Sequence, residues 1–430
     1  MLESYFKLSA NGTSVRTELL AGFTTFLTMA YILLVQPRIL GTAGMDAGAV
    51  FVATCVASAI GSLLMGLMAN YPIALAPGMG LNAYFAFSVV GGMGVPWQVA
   101  LGAVFLSGIA FIVLTVLPVR EAIVNAIPKS LKLAISAGIG LFLGIIALQN
   151  AGLIVAHPVT LVTLGDLHRP PVLLAALGFL VIVTLAARRI TGAVLIGVLA
   201  VTGLGVTLGV SPAPEGLFAL PPDPSPTLLA LDIKGALNLG LVSVVFAFLF
   251  VDLFDNAGTL VGVCHRAGLL DHQGKLARLK PALMADALAT TVGALLGTST
   301  VTSYIESAAG TQAGGRTGLT SVIVALLFLA ALFLAPLAAA VPAYATAPAL
   351  LYVACLMARG LAEIDWDDVT EAAPAVIAAI TMPLTYSIAH GIALGFIAYA
   401  GTKLLSGRLR DASPTALILA ALFLLKFAIL

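Results

Sequence analysis

The sequence predicts an all-α polytopic membrane protein. It is expected to have fourteen transmembrane segments in two inverted repeats of seven, with short extended stretches in spans 3 and 10. Three observations predict this. Of 430 residues, 60% are hydrophobic and only 9% charged, against about 25% charged in a soluble domain, and the mean hydropathy is +1.11. The apolar runs are long and lack alternation, so they read as helices rather than barrel strands. Two of them are interrupted by polar or helix-breaking residues at corresponding places in the two halves. The same composition excludes a soluble enzyme, which needs more polar surface to cover its core.

In chain order the apolar segments lie near 19–36, 49–69, 73–90, 98–117, 133–153, 171–187, 192–209, 236–263, 281–297, 300–313, 319–341, 344–358, 371–387 and 389–405. A last stretch, 414–430, could cross or lie at the interface. Several are shorter than the roughly 20 residues a full crossing needs. Basic residues cluster on alternate connections: Lys7 and Arg16; Arg120, Lys129 and Lys132; Arg188 and Arg189; Arg266, Lys275, Arg278 and Lys280; Arg316; and Lys403, Arg408 and Arg410. The positive-inside bias puts these in the cytoplasm, with the N-terminus. No cleaved signal peptide is expected at that N-terminus. Cys55, Cys264 and Cys355 are scattered and make neither a disulfide framework nor a metal site.

The third span, "NYPIALAPGMGLNAYF", carries Pro72, Pro77, Gly78 and Gly80. These break a helix and push the preceding residues to extended geometry, so it reads as extended near 72–77 and helical from about Gly80. The tenth, "TSTVTSYIESAAG", reads as extended over its β-branched part, with a short helix from about Glu306. Interrupted segments at matching positions in two halves point to a transporter binding site, and because seven is odd the repeat is inverted.

Ionisable groups buried in a bilayer are costly and therefore functional candidates. Asp252 and Asp255 lie mid-span in "FAFLFVDLFDNAGTLVGV", three apart and so on one helix face. Glu306 lies in the tenth span and Asn82 in the third. Glu18, Glu363 and Asp368 sit at span ends, where solvation is the default. A carboxylate between two half-helix starts suits a flat, nitrogen-rich heterocycle: N–H edges to the carboxylate, ring acceptors to backbone N–H. Plainer roles stand beside these. Asp252 could hold a neighbouring helix, Asn82 could serve backbone groups at a helix start, and Tyr84, Phe85 and Tyr304 could simply pack. His265, His272 and His390 read as solvated, and Arg316 as an interfacial anchor. No basic patch suggests nucleic acid.

The blocks "RTELLAGFTTFLTMAYILLVQP", "APGMGLNAYFAF", "LKLAISAGIGLFLGIIALQNAG", "VDLFDNAGTLVG", "GTSTVTSYIESAAG", "VPAYATAPAL" and "EIDWDDVTEAAPA" resemble, in order, the AzgA-like purine permeases of the nucleobase:cation symporter-2 (nucleobase–ascorbate transporter) superfamily. The resemblance runs from about Arg16 to Arg408. It implies a core domain (16–117 with 236–341) that carries substrate and a gate domain (133–209 with 344–405) that forms the scaffold and a homodimer contact. It implies proton-coupled uptake of hypoxanthine, guanine or adenine through the plasma membrane by an elevator motion, with the proton co-transported and no cofactor or metal. By motif, Asp255 and Glu306 are the substrate and proton acids, with Asp252 a further proton candidate. Ser307 is a specificity position, Asn82 a purine-binding position, Ile305 and Ala83 supply backbone contacts, and Phe23, Thr24 and Thr25 approach the site. The rival reading is an anion transporter on the same architecture. An intramembrane enzyme would need a nucleophile–base pair, such as Ser with His, or a metal cluster; no His lies mid-span and the chain has no ligand cluster.

Overall fold

The computed structural model describes residues 2–117, 127–214, 216–238, 242–269 and 276–429, apart from a few side chains within helices. The side chain of Asp255 lies outside the described residues, as do those of Arg120, Glu215, His265, Arg266, His272, Lys275 and Lys426.

A short α1 (Leu2–Phe6) precedes the first span. That span is two helices, α2 (Val15–Met29) and α3 (Ile32–Gly41), meeting at Ala30 and Tyr31. Ser14 caps α2 by accepting from the Thr17 N–H at 3.2 Å. Asp46 does the same for α4 (Ala47–Leu64), accepting from Ala49 at 2.8 Å, so each start has a donor satisfied by a short polar side chain. The third span is β1 (Leu75–Pro77), then α5 (Met79–Ala83), which continues into π-helical turns over Tyr84–Gly92. Next come α6 (Trp97–Val116) and α7 (Lys129–Asn150), the hairpin β2 (Ile154–His157) and β3 (Leu161–Leu164), then α8 (Pro170–Ala187), α9 (Ala193–Thr207) and a single turn, α10 (Ile233–Ala236).

The second half begins with α11 (Val242–Arg266) and α12 (Leu279–Leu296). The tenth segment is β4 (Val301–Ser303) followed by α13 (Ser307–Gln312). After it come α14 (Gly318–Ala330), α15 (Ala335–Ala340), α16 (Ala343–Ala358), α17 (Val369–Thr385), α18 (Ile388–Leu405) and α19 (Pro414–Ile429). Among the described residues, nine helical stretches are long and apolar enough to cross a bilayer, and four shorter apolar helices accompany them. The hairpin β2–β3 was not expected. "LIVAHPVTLVTL" is β-branched and polar enough to leave the helix, and it pairs antiparallel from Ile154↔Leu164 to His157↔Leu161.

The helices pack in two sets. In the first, α2, α3, α4, α6, α11, α12 and α14 lie against one another around the paired β1 and β4. In the second, α7, α8, α9, α16, α17 and α18 pack together, with α19 on α18. An apolar cavity of about 230 Å³ lies within the second set, lined by Ala147, Ala175, Phe179, Pro348 and Leu351 among others. It holds none of the candidate site residues.

Candidate functional site

The two interrupted spans meet. β1 and β4 pair antiparallel in the register Leu75↔Ser303, Ala76↔Thr302 and Pro77↔Val301. Further backbone bonds extend the ladder, Gly78 N–H to Thr300 O and Tyr304 N–H to Ala74 O, both 3.0 Å. Because the strands are antiparallel, α5 leaves from one end of the ladder and α13 from the other, roughly 10 Å apart for three residue steps. The two short helices therefore start from opposite ends of one small ribbon.

An open ribbon inside a bilayer leaves its outer edges unpaired, which hydrocarbon does not tolerate. Hydroxyls from the flanking helices satisfy them. Ser62 of α4 accepts from the Leu75 N–H at 3.0 Å and donates back to Leu75 O at 3.2 Å. Thr290 of α12 accepts from the Val301 N–H at 3.2 Å and donates to Val301 O at 2.9 Å. Ser307 accepts from the Ala74 N–H at 3.0 Å. The Tyr304 hydroxyl donates to Pro77 O at 2.5 Å.

Glu306 stands at the N-terminal boundary of α13, half-buried, beside Ile305, which is 46% exposed. Its Oε1 accepts from the Tyr31 hydroxyl at 2.8 Å. Its backbone carbonyl lies 3.4 Å from Thr28 Oγ1, which donates to Thr25 O at 2.7 Å. The break between α2 and α3 is thus placed against the acid.

The other expected residues fall in different places. Asn82 is buried; its Oδ1 accepts from Ser299 and its Nδ2 donates to Pro77 O at 3.4 Å, which ties α5 to both strands. Ser307 and Ala83 are fully buried, and the Ser307 hydroxyl serves the Ala74 backbone. Asp252 is buried with its Oδ2 3.1 Å from the Thr290 hydroxyl, so it competes with Val301 O for the one hydrogen of that hydroxyl. Thr25 is buried against α13, where a Cβ on Gly310 would come 2.0 Å from its Oγ1. Phe23 is 50% exposed; it is two residues from Thr25 on a helix and so cannot share its face. Tyr84 packs edge-on against Phe248, ring centroids 5.1 Å apart.

One expectation is corrected. Glu18 is fully buried, not solvated at a span end. It accepts from the backbone N–H of Arg316 (2.8 Å), Thr317 (3.2 Å) and Thr320 (3.1 Å) and from the Thr320 hydroxyl (2.6 Å). These include donors at the start of α14 that no helical partner can satisfy. Arg316 then donates to Thr311 O at 2.6 Å, at the end of α13. Sequence reasoning also passed over Tyr31, Ser299 and Asp286, the last fully buried in α12. For Tyr31 no local signal exists: "MAYILL" reads as packing. Asp286 could have been found, because it is an acid inside an apolar run.

Residues 16–394 match the permease family model Xan_ur_permease. The chain belongs to this permease family. It is 53% identical to the adenine permease AdeP of Escherichia coli strain K12 over 426 residues, covering 99% of this chain and 96% of that protein. It is 46% identical to the guanine/hypoxanthine permease PbuG of Bacillus subtilis strain 168 over 440 residues, covering both in full. The fold is similar to the transmembrane domain of the cyanobacterium bicarbonate transporter BicA, with a TM-score of 0.66 at 18% identity over 87% of this chain and 96% of that one. The permease is thus an all-α polytopic membrane protein.

Proposed function

We propose that this permease carries purine nucleobases across the plasma membrane together with protons. The observation that carries the reading is Glu306. It is a carboxylate set where a strand ribbon gives way to a short helix, with one oxygen held by Tyr31 and the residue only half-buried. Ser307, Asn82 and Tyr304 are engaged with backbone or one another, whereas this acid offers an acceptor for an N–H edge. The high identity to adenine and guanine/hypoxanthine permeases over their whole length supports purines as the substrate class.

We read the first helix set as a core that carries substrate and the second as a gate against which it moves, in fourteen crossings of two inverted repeats with the N-terminus in the cytoplasm. A homodimer through the gate belongs to the same reading. We read Asp255, three residues after Asp252 in the sequence, as the second acid of the site, and either it or Glu306 carries the proton.

Uptake into proteoliposomes tests this. Labelled adenine, guanine and hypoxanthine are expected to accumulate when the outside is acid, and Glu306→Gln and Asp255→Asn are each expected to abolish accumulation. Normal transport by both variants would refute the site. Bicarbonate or sulfate flux without purine flux would refute the substrate class in favour of an anion carrier.

A further inference from the structure

The geometry points to Tyr31 as a positioning residue that sets how many donors a purine can present to Glu306. This rests on the purine reading above and deepens it.

Tyr31 occupies the break between α2 and α3, and at 1% exposure its ring is locked by packing. Its hydroxyl donates to Glu306 Oε1 at 2.8 Å. Among the described residues no side chain donates to Glu306 Oε2, and the neighbouring Ile305 is 46% exposed. The Thr28 hydroxyl, one turn before Tyr31, donates to the Thr25 carbonyl at 2.7 Å and lies 3.4 Å from the Glu306 carbonyl. The break in span 1 therefore lies against the backbone of Glu306, while Tyr31 orients its carboxylate.

An ionised carboxylate can receive two parallel donors, one on each oxygen, as it does from a guanidinium fork. Guanine presents such an edge, N1–H beside the exocyclic amine. Hypoxanthine presents N1–H alone. With Tyr31 already on Oε1, the second guanine donor must share that oxygen, whereas the single hypoxanthine donor takes Oε2 unopposed. Tyr31 thus narrows the advantage of a two-donor edge while turning Oε2 toward the substrate.

Removing the hydroxyl tests the assignment. Equilibrium binding of guanine and hypoxanthine is measured on the same preparation of purified carrier, so that their affinity ratio does not depend on how much of the protein is folded. In Tyr31→Phe both bases are expected to bind more weakly, because the carboxylate is no longer oriented. The ratio is expected to move toward guanine by about fivefold, less than the full weight of a hydrogen bond to a charged group because the second guanine donor already shares Oε1 in the parent. Thr28→Val, which loosens the same break from the Glu306 backbone and leaves the hydroxyl in place, is expected to keep the parent ratio.

An unchanged ratio in Tyr31→Phe overturns the assignment, and so does an equal shift in Thr28→Val. A parent carrier that binds neither base overturns the purine reading itself, and this assignment with it. Binding by the parent with no change of ratio overturns this assignment alone.

Discussion

Glu18 makes the most demanding test of how the site is held. Its carboxylate receives three backbone N–H groups and one hydroxyl from the Arg316–Thr320 segment. Hydrogen bonds to a charged group are worth about 1.5–3 kcal/mol each, and a buried donor left without a partner costs about 1–3 kcal/mol. Glu18→Ala strands the Arg316 and Thr317 N–H groups and leaves the Thr320 N–H only its 3.3 Å bond to the Thr317 carbonyl. Water can enter the space left by the side chain, so the lower end of each range applies, and the expected loss is about 3–5 kcal/mol. Glu18→Gln keeps one acceptor oxygen but turns an NH₂ group toward the other donors, and about 1–3 kcal/mol is expected. The assay is thermal unfolding of the purified protein in detergent. The midpoint should fall in the order parent, Gln, Ala, with Ala lower than the parent by about 5 °C. Transport should fall in the same order, because Arg316 links this junction to the end of α13, the helix that begins at Glu306. A Glu18→Ala protein that melts with the parent would refute the capping argument. So would one that melts above Glu18→Gln.

Three further outcomes are expected. Gly310→Ala would place a Cβ 2.7 Å from the Ala21 carbonyl as well as against Thr25; a backbone atom cannot yield as a side chain can, so about 1–3 kcal/mol of stability and most of the transport should be lost, read by melting and uptake together. Lys403 is 1% exposed and lies 2.7 Å from Glu371 and 2.8 Å from Thr370, so Lys403→Met alone should destabilise by about 3–5 kcal/mol, while adding Glu371→Met should restore most of it. The Asp368 carboxyl is held below the usual carboxylate range by the Thr370 hydroxyl and, less strongly, by Arg408. A depressed folded value contributes stability above the unfolded value of about 3.9, and this is lost as pH falls through the folded value. Melting temperature measured downward from pH 7 should therefore drop in that acid window, and Asp368→Asn should flatten the drop.

Much of this architecture was legible because each feature has a local cause. Prolines at 72 and 77 and the β-branched run before Tyr304 forbid continuous helix, and the structure has strands at Leu75–Pro77 and Val301–Ser303. Glu306 stood out as an acid in an apolar chain. The roles of partners were not legible. Ser307 and Asn82 are polar residues beside a binding motif, and nothing local says that a hydroxyl or an amide faces backbone rather than substrate. Glu18 was misread because it lies one turn inside a span, where water is the usual neighbour.

The sequence by itself determined that the chain enters the membrane, where its helices break and that Glu306 and Asp252 stand in spans, since hydropathy, proline geometry and the cost of a buried charge are properties of short windows. Tertiary structure alone decided that the two broken spans pair as one ribbon, that hydroxyls of Ser62 and Thr290 close its edges, and that Tyr31 holds Glu306. Those contacts join residues from about 10 to 275 positions apart. In hydrocarbon every polar group needs a partner, but which partner supplies it depends on how helices distant in sequence come to lie side by side.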